Sequence, residues 1–222
     1  MDTGKARERA EFLRERYPFA AEVMTLYLAL LEVWVSPPID PQDIVKATEA
    51  CGPAALGEAV RDLDPIGVMR RWSTGLETSP VETYLARACL RGITPPVRLD
   101  GPCPQCGGQP QLSIQPLTDE PLVSGRRQLM CARCQHVWNH SGSSCPSCGE
   151  TEGAKHTFYG ESDELPHLRV DACSTCQRYL IDVDLRRDPR AVPEVDELAA
   201  LPLDLYAAEH GLTKITPNLM GF

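Results

Sequence analysis

The chain has 222 residues, with 22 Lys and Arg against 31 Asp and Glu, a formal charge of −9 and ten cysteines. That length suits one large or two modest domains, and the acidic balance argues against nucleic acid, which selects basic surfaces. The most apolar run, residues 19–35, is interrupted by Glu22 and Glu32 and is too short for a bilayer span, and the charged opening MDTGKARERAEFLRER lacks the apolar core of an export signal.

Residues 1–98 read as helical. Alternating charges over 5–16 precede Pro18, which breaks or restarts the helix. Over 19–35 the apolar residues Phe19, Val23, Leu26, Tyr27, Leu30, Val33 and Trp34 fall at helical spacing and predict one buried face. Ser36-Pro37-Pro38 ends it. Asp40-Pro41 then supplies a cap with proline in the first turn, for a helix that closes near Gly52-Pro53. A short helix fits 54–63 and a further turn 65–71. Ser79-Pro80-Val81-Glu82 spells a capping box that opens a helix closed by Gly92. Cys51 and Cys89 stand alone in this region and read as small buried hydrophobes, while Trp34 and Trp72 read as core or interface residues.

A proline-rich linker over 94–102 leads to four Cys-x-x-Cys knuckles: Cys103/Cys106, Cys131/Cys134, Cys145/Cys148 and Cys173/Cys176. The first and third read CPQCGG and CPSCGE. The second and fourth read CARCQ and CSTCQ, each followed by an aromatic, Trp138 or Tyr179. Cys103 to Cys131 is 28 positions, as is Cys145 to Cys173, and the two units repeat at 42 positions. A fixed period with matching flanks marks an internal duplication. Two residues between cysteines let one tight turn aim both thiolates at one ion, and Gly107 and Gly149 admit the positive φ this turn needs. Two knuckles then make a closed tetrahedron, the chemistry of structural zinc or of a one-iron rubredoxin centre. Eight thiolates predict two such sites, each holding a zinc or iron ion. Sequential pairing joins Cys103/Cys106 with Cys131/Cys134 and Cys145/Cys148 with Cys173/Cys176. Nested pairing would join the two middle knuckles and the two outer ones. The repeat favours the sequential choice. Disulfides are the bland alternative, and the same cysteines without an export signal place the chain in a reducing cytoplasm.

Strands are expected at 111–115, 128–131, 137–140, 157–159, 168–172 and 179–185, with Pro-, Gly- and acid-rich hairpin tips at 116–125 and 160–166. Such small β units bury little, so metal would supply much of their folding energy. With eight thiolates available, His136, His140, His156 and His167 read as solvated side chains rather than ligands. This segment is no more basic than the whole: residues 101–190 hold 9 Lys and Arg against 11 Asp and Glu.

After Asp188-Pro189 the chain turns helical over 193–199 and 201–209, interrupted by Pro202 and closed by Gly211. Leu198, Leu201, Leu205 and Ala208 form the expected apolar face. The fold class is therefore α+β and multi-domain: a helical domain at 1–100, two tandem rubredoxin-like or zinc-ribbon modules at 101–142 and 143–188, and a C-terminal helical segment with its tail at 189–222.

The four knuckles in this order, the stretch DELAALPLDLYAAEHG and a tail ending NLMGF together resemble the formate dehydrogenase accessory proteins of the FdhE type. The resemblance is close over about 100–222 and only general before it. It implies a cytoplasmic protein that helps mature a formate dehydrogenase by binding its catalytic subunit, with iron or zinc held by the family's cysteines, here the eight knuckle positions. The chain departs from the family in a shorter helical domain and in Gln135 and Gln177, which stand where glycine or another residue is often found.

Three function classes compete: a non-enzymatic metal-containing assembly factor, a rubredoxin-like electron carrier or redox sensor, and a zinc-ribbon nucleic-acid binder. No open three-ligand metal site, phosphate-cradling glycine loop or nucleophile–base pair is suggested by the spacing, so no enzyme is predicted.

Overall fold

Side chains placed to start helices do start them. In the computed structural model, which describes residues 2–117, 126–160 and 164–221, α1 (Thr3–Arg16) opens where the Asp2 carboxylate accepts the Gly4 and Lys5 amides. Tyr17 leaves the helix extended, Pro18–Ala20 makes one 3₁₀ turn, and α2 (Ala21–Trp34) follows. The expected single buried face of α2 is too narrow a description. Met24, Leu28 and Leu31 are buried along with Val23, Leu26, Tyr27 and Leu30, so this is a central helix wrapped by its neighbours. α3 (Pro41–Cys51) is capped by Asp40, and α4 (Ala54–Arg61) follows it. α5 (Pro65–Ser73), capped by Asp64, is a full helix where only a turn was expected. α6 (Pro80–Cys89) has the reciprocal capping box: Glu82 N donates to Ser79 Oγ at 3.3 Å, and Ser79 N to Glu82 Oε2 at 2.8 Å.

Six strands follow: β1 (Pro110–Gln115), β2 (Arg126–Cys131), β3 (Val137–Ser141), β4 (His156–Tyr159), β5 (Leu168–Cys173) and β6 (Arg178–Asp184). The expected hairpin tips lie largely outside the described residues. β1, β2 and β3 pair antiparallel, as do β4, β5 and β6. The two halves are then fused by a parallel β1–β6 pair, Leu112 opposite Ile181 and Ile114 opposite Val183. The result is one sheet in the order β3-β2-β1-β6-β5-β4, with β7 (Thr213–Lys214) added beside β6. The sequence period survives in three dimensions, because β5 is β2 displaced by 42 residues. The repeats are stacked head to tail.

Val170, Ile181 and Val183 share a single core with Leu13, Met24 and Leu30 of the helices. Each such side chain is worth about 1.5–3 kcal/mol when fully buried. Among the described residues the first repeat has two small clusters of its own, Leu112, Ile114 and Met130, and the four cysteines with Trp138. The helical layer is thus anchored by apolar packing on the second repeat.

α7 (Pro193–Asp196) runs through a 3₁₀ turn into α8 (Leu201–Glu209). Pro202 does not interrupt α8. It sits in the first turn, where its missing N–H costs nothing. The face expected to be apolar is also displaced: Leu205 is 58% exposed, while Leu203, Asp204 and Ala207 face inward. Asp204 fixes that rotation by accepting Tyr179 OH at 2.9 Å and by pairing with Lys214. The tail docks on α6, where the Arg87 guanidinium donates to Pro217 O at 2.9 Å and Asn218 O at 3.0 Å. Among the described residues no helix is long and apolar enough to cross a membrane.

Candidate metal centres

Each knuckle is the same small device. The amide four residues after the first cysteine closes back on it: Gly107 N to Cys103 O and Gly149 N to Cys145 O at 2.9 Å, Gln135 N to Cys131 O at 3.1 Å, and Gln177 N to Cys173 O at 2.9 Å. That closure demands a left-handed residue after the second cysteine. Gly107 and Gly149 have φ of 66° and 76°, and Gln135 and Gln177 adopt 60° and 56° despite their side chains.

The strands carry the knuckles to each other. β1 leaves the first knuckle and β2 returns to the second, so Cys103, Cys106, Cys131 and Cys134 converge with all four Sγ atoms within 4.8 Å of one another. Cys145, Cys148, Cys173 and Cys176 converge in the same way. This is the sequential pairing, and the nested alternative is not adopted. The nearest sulfurs are 3.5 and 3.7 Å apart in the first cluster and 3.8 Å in the second. Four thiolates at about 2.3 Å from one ion would form a tetrahedron with edges of about 3.8 Å. The residues therefore fit a tetrahedral ion, and the spacing is much too wide for S–S bonds of about 2.05 Å. No histidine joins either cluster among the described residues.

Electrostatics agree with that fit. Burial pushes the thiols of Cys134 and Cys145 up to about 12, since four sulfur anions cannot share a dry cage without a cation. Cys103 and Cys173 go the other way. Burial would raise them, but amide N–H donors from within their own knuckles outweigh it.

The two clusters differ in access. All four cysteines of the first are buried, with Trp138 packed against them. In the second, Cys148 is exposed and Cys176 half-buried. The two aromatics that seemed equivalent in the sequence stand one position out of step in the repeat, so they point to opposite faces of the sheet. Trp138 covers sulfur, whereas Tyr179 enters the helical core. Arg133, inside the second knuckle, ties the first cluster to the helices: its guanidinium donates to Ser73 O and Val97 O, each at 2.6 Å, and lies 5.4 Å from the Trp72 ring.

His167 is not solvated, contrary to expectation. It is 4% exposed, with Nε2 2.7 Å from Asp196 Oδ1 and 3.2 Å from the Arg9 guanidinium. Arg9 also bonds Asp196 through Nε at 2.9 Å and pairs with Asp188. Burial of that much charge demands this mutual satisfaction. His140 and His156 are half-buried and meet Ser144 O and Glu150 O. Next to Asp196, Glu197 is fully buried against Lys214 and Gln111. Sequence reasoning passed over both carboxylates. The available signal was two adjacent acids, Asp196 and Glu197, directly before the apolar run 198–203.

Residues 144–220 match the family described as "FdhE, C-terminal domain". Among curated proteins, "Protein FdhE homolog" of Aquifex aeolicus is 34% identical over 120 residues, 54% of this chain and 41% of that protein. The Pseudomonas aeruginosa protein of the same name is 33% identical over 124 residues, covering 53% and 38%. The matched stretch thus spans about two fifths of these relatives' own length. Among solved structures, the chain resembles that titled "The crystal structure of the FdhE protein from Pseudomonas aeruginosa", with a TM-score of 0.69 at 20% identity over 98% of this chain and 95% of that one. At that identity the likeness is one of fold.

Proposed function

Starting from a chain that is FdhE-like in its matched sequence and shares the FdhE fold, we propose that it is a metal-holding accessory factor that assists assembly of a formate dehydrogenase by binding its catalytic subunit in the cytoplasm. Each four-cysteine cluster would hold one zinc or iron ion, with Cys103, Cys106, Cys131 and Cys134 as one ligand set and Cys145, Cys148, Cys173 and Cys176 as the other. The observation that carries the reading is the closure of both clusters. Four sulfurs fill a tetrahedron and leave no coordination position for substrate. Metal in such a site organises a surface and does not turn over substrate, which suits a binding factor rather than an enzyme. The test is retention: metal-loaded chain on a column should hold back the catalytic subunit of a formate dehydrogenase, and free passage of that subunit would overturn the proposal.

A second reading rests on the exposure of Cys148. A four-thiolate iron centre reaching the surface suits one-electron transfer in the manner of rubredoxin. Protein purified without oxygen from its own host would then absorb visible light when oxidised and bleach on reduction. Colourless protein with zinc in both sites would remove this reading.

A further inference from the structure

Proximity and access rank the two sulfur cages in opposite orders. The first cage is the tighter: Cys106 Sγ lies 3.5 Å from Cys131 Sγ, and Cys103 Sγ 3.7 Å from Cys134 Sγ. In the second, Cys145–Cys176 and Cys148–Cys173 are both 3.8 Å apart. If closeness alone governed oxidation to disulfides, the first cage would react first. Its cysteines are at most 8% exposed, however, and Trp138 packs against them, whereas Cys148 of the second cage is open to solvent.

Cys148 also has room to move. It lies in the loop between β3 and β4, and a methyl added to its neighbour Gly149 would meet nothing within 4 Å among the described residues. Cys173 is held in place. It ends β5, opposite His156 of β4 on one side and Arg178 of β6 on the other. A disulfide between the two needs Cys148 Sγ to advance by about 1.7 Å, from 3.8 Å to a bond of about 2.05 Å.

We propose that Cys148 is an oxidation site, modified by hydroperoxides and resolved by Cys173, and that this modification opens the second cage. With hydrogen peroxide, the Cys148 thiolate attacks one oxygen and the O–O bond breaks, giving a sulfenic acid and hydroxide. The Cys173 thiolate then attacks that sulfur, forming the S–S bond and expelling a second hydroxide. Two electrons pass from the two thiolates to the peroxide, and solvent protonates both hydroxides to water. Cys145 and Cys176 remain, two sulfurs where a closed tetrahedral site needs four. The second repeat carries the core shared with the helices, so opening this cage acts on the half of the sheet that anchors them.

This inference rests on the two-ion part of the reading above and not on the partner. The test uses the full chain loaded with one zinc ion per site, since zinc has no redox chemistry of its own. One equivalent of hydrogen peroxide is added, free thiols are trapped and disulfides are mapped by mass spectrometry. Zinc release is read with a colorimetric chelator against a sample without peroxide. Peroxide should free one ion about tenfold or more faster than the other, with a Cys148–Cys173 disulfide and intact thiols at Cys103, Cys106, Cys131 and Cys134. A dithiol reductant and fresh zinc should restore the starting state. Cys51 and Cys89 belong to neither cage and serve as internal references. Oxidation that begins in the first cage or at Cys51, or a disulfide that omits Cys148, overturns the proposal. A Cys148–Cys145 disulfide overturns the choice of Cys173. Trp138→Ala, which uncovers the first cage, should speed oxidation there about tenfold or more. An unchanged rate in the zinc-loaded variant overturns burial as the cause, and the map of the parent decides the site whether or not this variant folds. Failure to bind zinc overturns both this inference and the zinc form of the two-ion reading, while retention of a formate dehydrogenase subunit is untouched by every arm.

Discussion

Arg127 of β2 reaches across the seam between the two repeats to form an ion pair with Asp171 of β5, and the two side chains are only 3% and 4% exposed. Its own repeat counterpart, Arg169, pairs instead with Asp182 at 2.7 Å. Ser113 connects the pairs, accepting Arg127 Nε at 2.8 Å and donating to Asp182 Oδ1 at 2.5 Å. One face of the parallel seam is therefore a polar ladder in which every member needs its neighbour. Arg127→Met should cost about 3–5 kcal/mol, because it leaves Asp171 as an uncompensated buried carboxylate. Adding Asp171→Leu should recover much of that loss. The pH dependence has a definite sign. Burial raises the Asp171 carboxyl above its ordinary 3.8, outweighing the attraction of Arg127. A raised carboxyl favours the fold at acid pH, and that contribution fades as pH climbs through the folded pKa. Removing Arg127 raises it further, so the stability gap between parent and Arg127→Met should be wider at about pH 8 than at about pH 5.5. Urea unfolding at both pH values, at matched metal content, checks it.

Much of this was legible because the information is local or periodic. Asp40 and Ser79 cap helices through contacts within one turn, and the 42-residue period aligned β2 with β5 before any fold was known. What escaped depends on partners distant in sequence. The orientation of α8 is set by Asp204 meeting Tyr179 and Lys214, and the burial of His167 by Arg9, 158 positions away. The parallel β1–β6 pair that fuses the repeats has no sequence signature, since parallel pairing joins segments without a turn between them. The eight cysteines were readable for the opposite reason: a knuckle is a four-residue object.

The unequal burial of the two clusters predicts unequal metal release. On the two-ion reading, a chelator should empty the Cys145/Cys148/Cys173/Cys176 site roughly tenfold faster than the buried one, giving a biphasic release trace. Cys148→Ser should abolish only the fast phase, whereas Cys103→Ser should destabilise the first repeat as well. Binding must also expel the protons that burial holds on Cys134 and Cys145 up to about 12. Affinity should therefore fall steeply as pH drops, with protons released on metal addition. A single release phase under all conditions would contradict the asymmetry.

Arg133 predicts how the first cluster is held to the helices. Its fork serves Ser73 O and Val97 O at once and faces Trp72, a combination that a point-charge ammonium cannot reproduce. The repeat counterpart is Thr175, whose hydroxyl donates to Glu150 Oε2 at 2.8 Å within the second metal cluster's own loop. Arg133→Lys should then cost about 1–3 kcal/mol and speed exchange of the amides around 97–106, while Thr175→Ala stays within about 0.5 kcal/mol of the parent. Thermal unfolding of the two variants at equal metal loading is the comparison.

Gly107 and Gly149 occupy matching places, and the same substitution should separate them. Both have left-handed backbones, so Ala at either position carries the penalty of that conformation, partly offset by the entropy an alanine saves, about 1 kcal/mol net. At Gly149 nothing lies within 4 Å of the added methyl. At Gly107 the methyl would sit 1.7 Å from Leu99 O, because the incoming linker is bonded directly onto this knuckle: Leu99 N donates to Cys106 O at 2.9 Å and Gly101 N to Gly107 O at 2.8 Å. Relief requires the linker to peel away, and with it the covering that buries the first cluster. Gly107→Ala should therefore cost about 3 kcal/mol or more and bring the release of metal from the buried site close to that of the exposed one. Gly149→Ala should shift melting only slightly and leave both release phases in place. Equal losses from the two variants would mean that the linker does not seal the first knuckle.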